Sequence, residues 1–296
     1  MTPPHIHYCW FGGAKKPRLA EKCIASWKKH CPGYEITEWN ESNFDISAYP
    51  YAEYCLKNRK WAFLSDFVRL DVVNRYGGIY FDTDVEAVRS FDPLLEYGAF
   101  YGFENDENVN TGQGFGAEPG HITVAAMEEQ YLSLVPDENG AFPTVTCPVL
   151  NTKALVPLGL EKNGQLQTVA GAVILPTEYL NPYDDPTGRL LRTDNTYSIH
   201  WYSKSWMSRA TVFRSMLTKP FHRVFGKDCF RHFRLPLEGK VAAKPSDEVS
   251  ACRSRRNACL PFIVCRKKRS VPHLKLYPFL PANSILRPRH LYRKTG

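Results

Sequence analysis

Asp82 and Asp84 stand two residues apart at the end of a short apolar run, Ile79-Tyr80-Phe81, which itself follows a glycine pair, Gly77-Gly78. If that run is extended, the pleat sends both side chains to one face, about 7 Å apart by Cα rise. Paired hard oxygen ligands at a strand end suit a divalent cation such as Mg²⁺ or Mn²⁺, and through it a substrate that carries a diphosphate. An isolated Asp-x-Asp is weak evidence, because most such pairs are solvated strand-end or turn acids. The surroundings decide.

Three reaction classes place two aspartates in this way. Aspartate-nucleophile phosphatases use D-x-D-x-T in a first strand near the N-terminus, whereas position 86 here is Glu86 and the strand comes third or later. A glycosidase needs its two carboxylates on opposite sides of a sugar, about 5–10 Å apart, and two acids on one strand face cannot flank a bond. Sugar transfer from a nucleoside diphosphate sugar fits better. There a cation bridges the acid pair and the diphosphate and offsets the charge that develops on the leaving nucleotide, and a nearby Arg adds to that field.

The elements that must position the pair form a β-α-β opening. His5–Phe11 is rich in β-formers and ends at Gly12-Gly13, so it reads as a strand and a turn. Leu19, Cys23, Ile24 and Trp27 have helical spacing through His30, stopped by Cys31-Pro32-Gly33, and Tyr34–Trp39 alternates as a second strand. This order predicts an α/β fold with an open, mostly parallel sheet. The strongest helix is Trp61–Tyr76, with an apolar stripe of Phe63, Leu64, Phe67, Leu70 and Val73 and with Gly77 placed to cap it. Asp66 and Arg69 lie at i and i+3 on it, and on helix pattern alone they read as a surface ion pair worth little.

Further along, Phe100–Phe103 reads as a strand, Ile122–Leu134 as a helix, and Val169–Leu175 and Thr196–Trp201 as later strands. Asn108–Gly116 is a polar, Gly-rich loop; it either lets backbone approach a ligand closely or is an ordinary surface turn. Tyr197–Trp206 gathers His200, serine hydroxyls, Trp201 and Trp206 at a strand-to-loop junction. A single His there is more often a hydrogen-bonded structural residue than a ligand, and the residues alone leave both readings open.

The chain has 296 residues and a net charge of +8, unevenly placed. Residues 240–296 carry fourteen Lys and Arg against Asp247 and Glu248, so the first 239 residues hold 24 basic and 28 acidic side chains. The segment with the aspartate pair is therefore acidic, which argues against nucleic acid as a partner. No apolar stretch has the length of a membrane span, no leader pattern opens the chain, and the nine cysteines lack C-x-x-C spacing. These features predict reduced thiols and a cytoplasmic protein. Residues 207–239 interleave Phe213, Met216, Leu217, Phe221, Val224, Phe225, Phe230 and Phe233 with cations. They read either as an amphipathic segment on an anionic membrane surface, making the protein peripheral on the inner face of the cell membrane, or as a helix packed on the domain with a solvated basic face.

Three ordered blocks carry a resemblance: Ile6–Gly13 (IHYCWFGG), Trp61–Asp71 (WAFLSDFVRLD) and Tyr76–Asp84 (YGGIYFDTD). Together they resemble the family 32 glycosyltransferases, sugar transferases of bacterial capsules and lipopolysaccharides and of the yeast Golgi, and also the catalytic domain of the large clostridial glucosylating toxins. The resemblance spans about residues 4–206 and leaves out 240–296. It implies a GT-A fold over residues 1–239, a Rossmann-like sheet with one nucleotide-sugar site, with 240–296 as a basic tail. It also implies a metal-dependent transfer of hexose, with retention at the anomeric carbon, from a UDP- or GDP-sugar to a polysaccharide or lipid-linked oligosaccharide.

Residue by residue, the resemblance implies that Trp10 stacks on the base while Tyr8 and Tyr80 line the nucleotide pocket. Ser65, Asp66 and Arg69 would hold ribose and sugar hydroxyls, replacing the surface-pair reading. Asp82 would meet ribose and metal, with Asp84 as the direct ligand of Mn²⁺ or Mg²⁺. Ser203 and His200 would lie near that metal, His200 standing where the toxin-like enzymes have a carboxylate, which leaves its ligation open. Trp206 would cover the leaving phosphate, and Asn110 would face the donor sugar or the acceptor. No residue is an evident covalent nucleophile, in keeping with a front-side route in which the leaving diphosphate oxygen helps deprotonate the incoming hydroxyl. Two rivals share the motifs: a toxin-like effector that glycosylates a protein, and an inactive nucleotide-sugar-binding scaffold.

Overall fold

Strand β1 (His5–Cys9) leads into α1 (Arg18–His30), which starts behind Pro17, and returns as β2 (Glu35–Trp39) parallel to β1. Glu21 in the first turn of α1 and Lys28, Lys29 and His30 in its last complement the helix dipole. Next come α2 (Pro50–Lys57), α3 (Trp61–Tyr76), β3 (Gly78–Tyr80), β4 (Val85–Ala87), α4 (Asp92–Leu95) and β5 (Ala99–Asn105). The chain continues through β6 (Asn108–Asn110), β7 (Phe115–Ala117), α5 (Ile122–Leu132) and α6 (Cys147–Leu155). It closes with β8 (Gln167–Val169), β9 (Ala172–Leu175), α7 (Thr177–Leu180), β10 (Tyr183–Asp184), β11 (Arg189–Leu190), β12 (Ser198–His200) and α8 (Arg209–Phe225). This computed structural model describes residues 1–204, 207–226 and 229, all of them in one unit, Met1–Pro236.

The central sheet has eight strands in the order β2-β1-β3-β7-β5-β9-β8, with β6 on β5. β1, β2, β3, β5 and β9 run the same way, and β6, β7 and β8 run against them. The α/β architecture with a mostly parallel sheet is thus as expected. Its two faces follow the strand period of two. Ile6, Tyr8, Ile79, Phe81 and Phe100 pack on the α1 side, while Tyr80, Ala99, Tyr101 and Phe103 pack on the side of α3 and α5. Helix α3 lies between the sheet and α2 with α5, so every residue from Asp66 to Val73 is buried, polar ones included. That explains why an apolar stripe describes it poorly: from Asp66 to Val73 the helix is covered on all sides.

Several sequence expectations need correction. The aspartate pair is not on an extended strand face. β3 stops at Tyr80, and Asp82-Thr83-Asp84-Val85 forms a β-turn closed by Val85 N–H to Asp82 O at 3.0 Å. Val169–Leu175 is not one strand but the hairpin β8–β9, because Ala170 (φ 47°) and Gly171 (φ 85°) both adopt the left-handed region that a two-residue hairpin turn requires. Asn108–Gly116 contributes β6 and the start of β7 rather than loop alone. The glycine pair has a steric cause: Gly78 has φ 105°, and a Cβ on it would lie 2.5 Å from the His5 carbonyl oxygen of the neighbouring strand.

Candidate active site

The order β2-β1-β3 makes the gap between β1 and β3 a switch point, where the chain leaves β1 for one side of the sheet and later comes back on the other. Ligands in open α/β sheets bind beside the carboxyl ends of strands at such a point. The register pairs His7 with Tyr80, so the carboxyl end of β1, at Tyr8 and Trp10, lies beside the segment that carries Asp82.

Asp82 follows Phe81, whose ring packs on the α1 side, so the alternation turns Asp82 toward α3. There Arg69 Nη2 meets Asp82 Oδ1 and Asp66 Oδ1, each at 2.9 Å. Arg69 is 2% exposed, and its Nε–H donates to the Ser65 carbonyl at 3.2 Å. The Tyr80 hydroxyl donates to Asp82 Oδ1 at 3.0 Å, and the guanidinium sits 4.9 Å from the Tyr80 ring centre. The surface ion pair suggested by helix pattern is therefore a triad around a buried guanidinium, in which one cation holds the buried Asp66 and the partly exposed Asp82. Burial pushes the Asp66 carboxyl up to about 6, opposed by Arg69. It raises Asp82 too, again against the pull of Arg69.

Asp84 is held from the other side. β12 pairs antiparallel with β4, His200 opposite Val85, and Trp201 N–H reaches Asp84 O at 3.0 Å. This brings His200 Nε2 within 3.3 Å of Asp84 Oδ1, while Ser203 N–H donates to Asp84 Oδ2 at 2.7 Å. Burial works against the charged form of Asp84, but His200 and the Ser203 donors outweigh it and hold this carboxyl well below the usual range. His200 is shifted upward, because its carboxylate partner overrides the effect of burial. On the far side of the turn, Trp27 Nε1–H donates to Val85 O at 2.7 Å, tying the turn to α1.

Asp82, Asp84 and His200 each offer one ligand atom, and these atoms lie within 4.8 Å of one another. Two carboxylates and an imidazole are a donor set for a hard-to-borderline divalent cation. The nitrogen that meets Asp84 is Nε2, while His200 Nδ1 is buried with no hydrogen-bond partner among the described residues. The residues fit a divalent metal.

Two residues not singled out in the sequence complete the wall. Gly112 donates its N–H to Asn110 Oδ1 at 2.6 Å, and its carbonyl accepts from Asp82 N–H at 3.2 Å. A Cβ on Gly112 would lie 2.5 Å from Asp82 Oδ2, 3.0 Å from Arg69 Nη1 and 3.1 Å from Asn110 Oδ1. The close approach anticipated for this loop is thus made to the aspartate–arginine cluster itself. Cys147, at the first turn of α6, donates its thiol to Asn110 Oδ1 at 3.3 Å and accepts from Arg69 Nη1 at 3.7 Å. Burial pushes that thiol well up, so it acts as a neutral spacer. A lone cysteine amid scattered ones gives no such signal in sequence.

The nucleotide-binding candidates are only partly gathered. Tyr8 is buried against Trp27, with ring centres 5.5 Å apart, and its hydroxyl donates to Glu38 at 2.5 Å. Trp10 is half-buried, gives its indole N–H to Ala14 O at 2.6 Å, and has Lys16 Nζ 5.5 Å from its ring. Ser65 spends its hydroxyl proton on Ala62 O at 2.8 Å. Trp206 lies outside the described residues.

Residues 17–101 match the family described as a glycosyltransferase sugar-binding region containing a DXD motif, a stretch that holds Ser65, Asp66, Arg69, Tyr80, Asp82 and Asp84. Inositol phosphoceramide mannosyltransferase 3 of Schizosaccharomyces pombe is 33% identical over 106 residues, 33% of this chain. The chain spans only 28% of that relative's length. Among solved structures, the PaToxG glycosyltransferase overlaps at TM-score 0.42 and 18% identity, covering 53% of this chain and 69% of its own. The galactosyltransferase LgtC, solved with donor and acceptor sugar analogues, overlaps at TM-score 0.38 and 12% identity, covering 72% and 93%. Residues 17–101 are thus similar to a DXD-containing glycosyltransferase sugar-binding region, and the aspartate pair lies inside that stretch.

Proposed function

We propose that the protein is a metal-dependent, retaining glycosyltransferase that moves a hexose from a nucleoside diphosphate sugar to a glycan acceptor, either a polysaccharide or a lipid-linked oligosaccharide. The observation that carries this reading is the grouping of Asp82, Asp84 and His200, with ligand atoms within 4.8 Å, beside the buried Arg69. Asp82, Asp84 and His200 would hold Mn²⁺ or Mg²⁺, the imidazole favouring Mn²⁺. Bound there, the cation would neutralise charge on a departing diphosphate.

The protein's own groups do the positioning. Arg69 keeps Asp82 oriented by a charge-assisted bond that Tyr80 supplements, and Ser203 does the same for Asp84 through its backbone N–H. Asp66, on the same guanidinium, and Asn110, on the Gly112 loop, are the candidates to meet sugar hydroxyls. Trp10 is the candidate platform for the base. The name of the S. pombe relative makes a mannosyl donor and a lipid-borne acceptor the first pair to test.

The test is a hydrolysis and transfer screen of GDP- and UDP-hexoses with the purified chain and Mn²⁺, repeated with chelator. One or more donors should turn over, the chelator should stop it, and Asp84→Asn should lower turnover by about a thousandfold. Failure of every donor, or an Asp84→Asn variant as active as the parent, would refute the reading. Nuclear magnetic resonance of the first-formed product then checks retention.

A further inference from the structure

Helix α8 is built inside out. Its inward side is polar: Lys219 Nζ reaches Asp185 Oδ1 at 3.1 Å and the Tyr183 hydroxyl at 2.9 Å, and Lys204 Nζ donates to Ser215 Oγ at 2.6 Å. Arg189 donates to the Arg223 carbonyl at 2.9 Å, and Arg223 donates to the Gly188 carbonyl at 3.1 Å. Ser215, Thr218 and Lys219 are accordingly half-buried against the β10–β11 hairpin.

The opposite side is apolar. Phe213, Met216, Leu217 and Val224 recur at i, i+3, i+4 and i+11, one stripe at 3.6 residues per turn, and each is more than half exposed. Phe225 at the end of the helix is exposed as well. A helix of a globular protein normally turns such a stripe to the core. Of the two sequence readings, the helix does pack on the domain, but the face it leaves outside is apolar and not the solvated basic one.

We propose that this face of α8 docks the protein on an anionic lipid surface, with the helix lying in the plane of the interface. The occupant is argued from charge. Residues 207–226 contain three Arg and one Lys and no acid, and exposed Arg214 and Arg223 flank the apolar stripe. The two other candidate covers share that sign. The stretch 240–296 has fourteen cations against two acids, and a second copy of α8 would oppose like charges. A bilayer rich in anionic headgroups offers both an apolar layer for the stripe and a negative field for the arginines. None of the described helices is long and apolar enough to cross a membrane, so the contact is made along the surface.

The full chain should sediment with phosphatidylcholine vesicles that contain phosphatidylglycerol, and not with phosphatidylcholine alone. The double variant Phe213→Glu/Leu217→Glu, altered only on the outward face, should partition about tenfold less at an unchanged melting temperature. Equal sedimentation of variant and parent would assign binding to the basic tail and overturn the proposal. So would a lipid-free dimer that the variant abolishes. As a second readout, Phe213→Trp should gain fluorescence quenched by brominated acyl chains beyond that of the parent, and absence of that quenching refutes a lipid-facing stripe. None of these measurements depends on sugar transfer, so their failure leaves the reaction reading untouched.

Discussion

Gly112→Ala is the sharpest perturbation of the site, because it adds one methyl group where nothing fits. The backbone at Gly112 is outside the positive-φ region, so alanine meets no conformational obstacle there. The new Cβ would lie 2.5 Å from Asp82 Oδ2, against an ordinary carbon–oxygen contact of about 3.4 Å. Something must move by about 0.9 Å. Asp82 is the nearest candidate, but its other oxygen is tied to Arg69 at 2.9 Å and to Tyr80 at 3.0 Å, so moving it loosens both bonds. A misplacement near 1 Å in a reacting constellation costs about a hundredfold in rate. Overpacking itself costs roughly 1–3 kcal/mol of stability. Calorimetric titration with Mn²⁺ should show weaker uptake, donor turnover should fall by about a hundredfold, and the melting temperature should drop by a few degrees only. If metal affinity and turnover both stay within about threefold of the parent, Asp82 does not have to occupy the place assigned to it.

Two further substitutions test the supports of the site. Arg69→Met strands the Asp66 and Asp82 carboxylates without their shared cation, a loss of about 3–5 kcal/mol. Arg69→Lys should recover part of that stability while holding only one of the two acids. Denaturant melts check this, and two variants melting like the parent would refute the triad. His7 probes the frame behind β3. Its Nε2–H donates to Gly77 O at 2.8 Å and its Nδ1 accepts from Trp39 Nε1–H at 3.1 Å, so a second ring proton would face another donor. Burial, with His5 nearby, lowers His7 to about 4. Between the unfolded value near 6.5 and that value the unfolded chain binds more protons, so stability falls as pH drops through this window and levels off below it. The contribution is about 3 kcal/mol, and His7→Gln should flatten the profile. Parallel profiles for parent and variant would refute it.

Much of the frame was legible in sequence because its signals are local. The α3 boundaries follow from the apolar density of Trp61–Tyr76 and the stop at Gly77, and the β-α-β opening from alternation broken by Gly12-Gly13 and Pro32-Gly33. What escaped depends on distant partners. Period alone cannot tell that the chain turns at Asp82–Asp84, since that bend is fixed by Val85 closing back on Asp82 and by β12 arriving from over a hundred residues away. The burial of Asp66 and Arg69 depends on α2 and α5 covering α3, which no i,i+3 rule contains. α2 and α6 were not anticipated, their segments being short and interrupted by Pro50 and Pro148 near the first turns, where proline in fact begins a helix well. Cys147 was invisible for the same reason, since its role comes from Asn110 and Arg69 and not from its own neighbours in the chain.

The β4–β12 ladder makes assembly of this constellation a late event in the life of the polypeptide. Asp84 emerges from the ribosome long before Ser198–His200, yet its carboxylate acquires the imidazole and the Ser203 amide only when β12, the last of the described strands, zips onto Val85–Ala87. A nascent or proteolytically shortened chain ending ahead of Thr196 would keep every strand of the large sheet, including β8 and β9, and still own just two of the three candidate liganding groups. The three groups therefore come together only after the chain has been made as far as Ser203, well after the aspartate turn itself.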